Sequence, residues 1–291
     1  MHLSLRTKAK LLRSKGQPRK DDAAFRYLAK LAVGSLAVLV PAVLASIAIA
    51  FRLLSGDGGA PPTPVCVCRV VLIDQSASIS AQQRSHWMGE SEKIFISIKS
   101  GDSIVIFLIN DQTLQAKPIF EAQVPFGNEG AGLIQKIEEK EKLVAAKNGA
   151  RDAMQKAIDA AGKAPKTDIL SAFDRSAVKQ KNCRTAIYFF SDMIHAAERG
   201  EINMEQARLV EDHFPEIIRA LARRHGWHSD TLKGVAVHAI LPSAVSGQRQ
   251  PLNDARVLRR FYETMVLSLG GEIVSFETTL DERLVNDEVG K

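Results

Sequence analysis

At 291 residues, with 45% apolar and 25% charged residues, the chain has the composition of a globular protein holding one large domain with appendages or two small ones. The net charge of +6 belongs to residues 1–30, which carry nine Lys/Arg and two Asp, leaving 30 basic against 31 acidic residues in the rest. A near-neutral remainder gives no electrostatic footprint for nucleic acid, so no nucleic-acid partner is expected.

Residues 1–30 read as a basic arm from Arg6 to Lys30. Leu31 to Phe51 then runs 21 residues without a charge, between Lys30 and Arg52. As a helix this covers roughly 30 Å, the hydrocarbon thickness of a bilayer. Residues 31–53 are therefore expected to form a single transmembrane helix, in which Pro41 is tolerable. Basic residues crowd the leading flank, so the positive-inside rule puts the N-terminus in the cytoplasm. The rest would lie across an inner (cell) membrane, in the periplasm or outside the cell. A cleaved signal peptide ending near Ala48-Ile49-Ala50 competes with this reading, as does a buried globular helix. The length of the apolar run and the absence of a polar face favour the anchor. Residues 54–64 are a Gly/Pro-rich linker. The domain proper is expected over 65–280, with 281–291 as a tail.

Arg69 to Ile73 reads as a strand covered on both faces, because its apolar residues do not alternate with polar ones. It ends in Asp74-x-Ser76-x-Ser78, hard oxygen donors suited to Mg²⁺. By themselves the two serines could equally cap the helix that follows. That helix is expected over about Ala81 to Lys99, then a buried strand over Ser103 to Asn110 and a short edge strand within Lys117 to Val124. Gly130 to Gly162 is charged and helical, with Asn148-Gly149 expected to break it into two helices. Another helix runs from Ile169 to Val178, with Thr167 just before it. Arg184 to Ser191 is a third buried strand, ending at Asp192. Met204 to His225 is an amphipathic helix that Pro215 should kink or split. Leu232 to Leu241 is a strand, Asp254 to Leu269 a helix, and Glu272 to Phe276 a last strand. Such alternation gives an α/β fold: a doubly wound, mostly parallel sheet with helices on both faces.

Hydroxyls and carboxylates thus recur at the carboxyl ends of strands, where open α/β sheets bind ligands. The chain from about 65 to 280 resembles the von Willebrand factor A (VWA) domain. Asp74-x-Ser76-x-Ser78 is similar to the first motif of that family's metal-ion-dependent adhesion site (MIDAS), Thr167 to the second, and Asp192 to the third, 25 residues after Thr167. Two features depart from the pattern. The family's third motif usually reads Asp-Gly, and here it is Asp192-Met193. The stretch between Ser78 and Thr167 is longer than usual, so about 125–162 is expected to be an insertion over the top or side of the site. Asp168 could join the metal shell or cap the next helix. The resemblance implies that Ser76, Ser78 and Thr167 bind Mg²⁺ or Mn²⁺ directly, with Asp74 and Asp192 acting through waters. It implies a protein partner that supplies an acidic residue to the metal. It also implies that the strand opening near Cys66 lies beside the one opening near Cys183. Cys66 is eight residues before Asp74 and Cys183 nine before Asp192, against six for Cys68. Cys66–Cys183 is then the better-matched disulfide and Cys68–Cys183 the second, with three free thiols the alternative.

No nucleotide-binding or hydrolase motif occurs, and Ser76 stands where a two-carboxylate phosphotransferase would want a second acid. His225 and His228 read as surface or packing residues rather than a metal pair. The expected function is that of a non-enzymatic, membrane-anchored binding protein for adhesion or complex assembly. The alternatives are a metal-dependent hydrolase and a VWA scaffold whose metal site is unused.

Overall fold

The computed structural model describes residues 66–128, 130–162, 164–176, 183–196, 202–243 and 253–287. The chain divides into Met1–Pro62 and Thr63–Lys291, and every described residue lies in the second unit. The expected basic arm, membrane helix and linker lie outside the described residues. Among those described, no helix is long and apolar enough to cross a membrane.

Six strands form one sheet: β1 (Cys66–Asp74), β2 (Ser103–Ile109), β3 (Phe120–Gln123), β4 (Cys183–Phe190), β5 (Val235–Ile240) and β6 (Glu272–Glu277). Their order is β3-β2-β1-β4-β5-β6, parallel throughout except for the edge strand β3. The helices are α1 (Ala81–Ser97), α2 (Leu133–Ala160), α3 (Ile169–Ser176), α4 (Phe214–His225), α5 (Ala255–Ser268) and α6 (Glu282–Asp287). Side chains alternate along β1 and so feed two cores. Cys68, Val70 and Leu72 join α3, α4 and α5 on one face. Val67, Val71 and Ile73 join α1, α2 and α6 on the other. The sheet winds outward in both directions from β1, so the β1/β4 boundary at the carboxyl ends is the topological switch point.

Three local expectations are corrected. Asn148-Gly149 does not break the charged segment, because α2 runs unbroken from Leu133 to Ala160. A Cβ on Gly149 would lie 2.5 Å from the Phe120 ring, so the helix carries glycine here to let β3 approach. Its carboxyl end lies at the side of the site, where the Ala157 carbonyl and the Gly162 N–H bond Gln75. Ala146, Ala150, Ala153, Met154 and Ala157 bury it in the core beside α1. Pro215 starts a helix rather than kinking one: it sits in the first turn of α4, where its missing N–H costs nothing. Ahead of it, Met204 to Val210 is not helical. The Asn253 amide donates to the carbonyls of Met204 and Ala207 and accepts from the Leu209 N–H, competing with a helical hydrogen-bond pattern. The domain also continues past residue 280, since Val285 of α6 is buried in the core.

At the amino end of the sheet, Cys66 and Cys183 are register partners on β1 and β4 and are joined by a disulfide, with Cα atoms 4.6 Å apart. Cys68 is a buried free thiol. Nearby, the buried Arg69 guanidinium meets Asp102 at 2.5 Å, and Asp102 also accepts from the Val67 and Lys99 N–H groups.

Candidate metal centre

β1 ends at Asp74, whose carboxylate lies fully buried at the switch point. The chain turns at once, and Asp74 Oδ1 accepts from the Ser76 N–H at 2.7 Å. This turn brings the two hydroxyls of the motif together, with Ser76 Oγ and Ser78 Oγ 2.8 Å apart. They do not cap α1. Ser80 does, through a capping box with Gln83. Thr167 precedes α3, and its hydroxyl donates to Asp74 Oδ1 at 3.3 Å. Asp192 follows β4, and its Oδ2 accepts from Ser78 Oγ at 3.1 Å. All five residues expected from the sequence are therefore brought together. Asp168 stands apart as the cap of α3, accepting from the Ser171 N–H at 3.0 Å.

Met193, the departure from the usual Asp-Gly, is the one non-glycine residue with positive φ among the described residues, at 60°. It takes the left-handed shape a glycine adopts freely, at a cost of roughly 1–2 kcal/mol. Its surroundings hold it there. The side chain is fully buried. Its N–H donates to Ser191 Oγ at 3.0 Å, and its carbonyl accepts from the Tyr262 hydroxyl at 3.0 Å. The Asp192 loop thereby keeps its course without glycine.

Several residues serving the site were not singled out in the sequence. Ser191 donates to Asp74 Oδ2 at 2.7 Å, so it ties the two carboxylate loops together. Gln75 secures the end of α2: its amide donates to the Ala157 carbonyl at 3.2 Å, and its own carbonyl accepts from the Gly162 and Ala164 N–H groups. His195 is buried between the Thr167 and Asp192 loops, 3.7 Å from Asp168, while the Ala196 N–H donates to the Thr167 carbonyl. Only the SD pair at 191–192 offered a hint in sequence. The other partners are set by packing.

Burial and mutual charge set the electrostatics of the cluster. Burial raises the Asp74 carboxyl above the ordinary range against the pull of its hydrogen bonds. Burial and then the charge of Asp74 push Asp192 up to about 7. Neither carboxylate pairs with a Lys or Arg among the described residues. Asp74, fully buried, and Asp192, half-buried, repel each other when both are ionised, and a divalent cation would remove that repulsion. The donor set of two carboxylates and three hydroxyls is all oxygen, which suits Mg²⁺ or Mn²⁺. Among the described residues no three His, Cys, Asp or Glu cluster as a softer metal would require. His225 instead bonds Asp174 at 2.7 Å and stacks on Trp227, and the His228 side chain has no part in that contact. No histidine bonds Ser76 or Ser78 among the described residues.

No family model and no curated protein matches the chain. Similar solved structures include proximal thread matrix protein 1 from the mussel byssus, at 14% identity and TM-score 0.41, covering 77% of this chain and 48% of that one. A von Willebrand factor type A protein from Catenulispora acidiphila matches at 10% identity and TM-score 0.37, covering 77% and 41%. The manganese-loaded TRAP protein of Plasmodium vivax matches at 12% identity and TM-score 0.36, covering 77% and 71%. The chain thus spans less than half the length of the first two. Likenesses this small assign no function. The fold is a VWA-like α/β sheet by its own strand order, with its oxygen cluster at the switch point.

Proposed function

We propose that this chain is a membrane-anchored VWA protein that captures a protein partner through a MIDAS-type Mg²⁺ or Mn²⁺ site, as an adhesion or assembly component. The observation that carries this reading is the convergence of Asp74, Ser76, Ser78, Thr167 and Asp192, from three loops, on one point. Ser76, Ser78 and Thr167 would hold the ion by their hydroxyls. Asp74 and Asp192 would orient those hydroxyls and supply the negative charge. When bound, the ion offers an open coordination position that favours an acidic oxygen from the partner. Ser191, Tyr262 and Gln75 keep the three loops in register. The uncharged run at 31–51 supports an anchor, and the Cys66–Cys183 pairing suits a domain exported to an oxidising compartment.

A crosslinking pull-down from membranes, with and without EDTA, tests the reading. Wild type should capture a partner only when divalent cation is present, and Asp74→Ala should capture none. Chelator-sensitive substrate turnover lost in Ser76→Ala would replace binding with hydrolysis.

A further inference from the structure

Met193 keeps a left-handed backbone without being glycine, so bonds from its surroundings must offset the strain. Two of them lead to different elements. Its N–H donates to Ser191 Oγ at 3.0 Å, and the Ser191 hydroxyl donates in turn to Asp74 Oδ2 at 2.7 Å. Its carbonyl accepts from the Tyr262 hydroxyl on α5 at 3.0 Å. The Met193 carbonyl shares one rigid peptide plane with the Ile194 N–H. That N–H donates to Asp192 Oδ1 at 3.0 Å. A single peptide plane is therefore gripped by Tyr262 at one end and grips Asp192 at the other.

The Tyr262 ring does not need its hydroxyl to stay in place. It is fully buried, and it packs against Phe261, Phe173 and Phe276 with ring centroids 5.3, 6.1 and 6.4 Å away. Phenylalanine would fill the same space. The hydroxyl adds the bond to the Met193 carbonyl and a weak one, at 3.7 Å, to Met204 Sδ. Burial first, then the charges of Asp192 and Asp168, push its ionisation well above the ordinary tyrosine range, so it stays a donor. No other donor reaches the Met193 carbonyl among the described residues. Without Tyr262 Oη that carbonyl would be buried and unpaired, and the strain at Met193 would lose its main offset from outside the loop. Relaxation to negative φ would swing the shared peptide plane and carry the Ile194 N–H off Asp192.

We propose that Tyr262 is a positioning residue of the metal site: by fixing the Met193–Ile194 peptide plane, its hydroxyl aims Asp192 and, through Ser191, holds Asp74. The proposal rests on the metal reading of the cluster. It makes Tyr262 and Met193 interdependent. A glycine at position 193 takes the left-handed shape without strain and has no need of the hydroxyl, whereas methionine there depends on it.

The test measures Mn²⁺ affinity of the full chain, well below the melting midpoint of each variant, for wild type, Tyr262→Phe, Met193→Gly and the double variant. Tyr262→Phe should keep the ring packing and bind Mn²⁺ roughly tenfold more weakly, because the assembled loop is then only a fraction of the population. Met193→Gly keeps the backbone path and should bind close to wild type. Adding Tyr262→Phe to Met193→Gly should change affinity by less than about twofold, since glycine needs no support there. A hydroxyl with only a structural role would lower the melting midpoint in both backgrounds and leave both affinities unmoved. Wild-type Mn²⁺ affinity in Tyr262→Phe therefore overturns the proposal and leaves the metal reading standing. An equal loss in both backgrounds means that the hydroxyl does not act through Met193, and overturns it as well. A wild type that binds no Mn²⁺ removes the metal reading and the proposal with it.

Discussion

At the residue scale, the cluster holds two neighbouring carboxylates that pair with no Lys or Arg among the described residues. Asp192 is raised to about 7 by burial and by Asp74, far above its unfolded range. The folded, metal-free protein therefore holds a proton that the unfolded chain releases. Through Asp192, metal-free stability should fall as pH rises from about 4 to about 7. Thermal melts at pH 5 and pH 8 should show this loss in wild type and a smaller one in Asp192→Asn, where the raised Asp74 carboxyl remains. Added Mg²⁺ should raise the pH 8 midpoint of wild type more than the pH 5 midpoint. Equal metal-free midpoints at the two pH values in wild type would contradict the buried pair. Met193 gives a second prediction. Met193→Gly relieves roughly 1–2 kcal/mol of strain but removes a buried side chain worth about 2–5 kcal/mol, so the variant should be less stable in denaturant titrations. Its loop shape should persist, and Mn²⁺ affinity should stay close to wild type. That Asp74, Ser76, Ser78, Thr167 and Asp192 lie together was legible because hydroxyls and acids at strand ends are visible at fixed spacing. Ser191 and Tyr262 were not, because a serine before an aspartate and a tyrosine in an apolar helix look like ordinary packing residues.

At the element scale, local signals failed where tertiary contacts outweighed them. Asn148-Gly149 is a turn signal, yet Gly149 stays helical because Phe120 occupies the space its side chain would need. Gly149→Leu should then cost about 1–3 kcal/mol in chemical denaturation, with Phe120→Ala recovering part of the loss. A stabilised single variant would mean that the close approach of α2 to β3 is not real. The non-helical stretch before α4 shows the same hierarchy. Its periodicity reads as helix, but the Asn253 amide takes the carbonyls of Met204 and Ala207. Strands were easier to read, since runs such as Val70 to Ile73 need only be apolar to be covered on both faces.

At the scale of the whole molecule, β1 links three separate functions. Its amino end is stapled to β4 by Cys66–Cys183, its middle fills both cores, and its carboxyl end carries Asp74. The disulfide closes a loop of 117 residues, long enough to contribute about 4–5 kcal/mol by constraining the unfolded chain. Protein isolated from membranes and unfolded without reductant should expose one labelled thiol, Cys68, and three after reduction; three in both cases would contradict the bridge. The mostly parallel sheet was legible from the alternation of strands and helices, whereas its order and the burial of the second half of α2 were not, because a charged helix face reads alike on and off the core. The central claim is that the cluster at the β1/β4 switch point holds a divalent ion. It is tested most directly by electron paramagnetic resonance of Mn²⁺ titrated into the full chain. Wild type should remove the free-ion signal at one equivalent, and a Ser76→Ala/Ser78→Ala variant with an unchanged melting profile should leave it free. Full free-ion signal with wild type, or equal binding by that variant, would contradict the account.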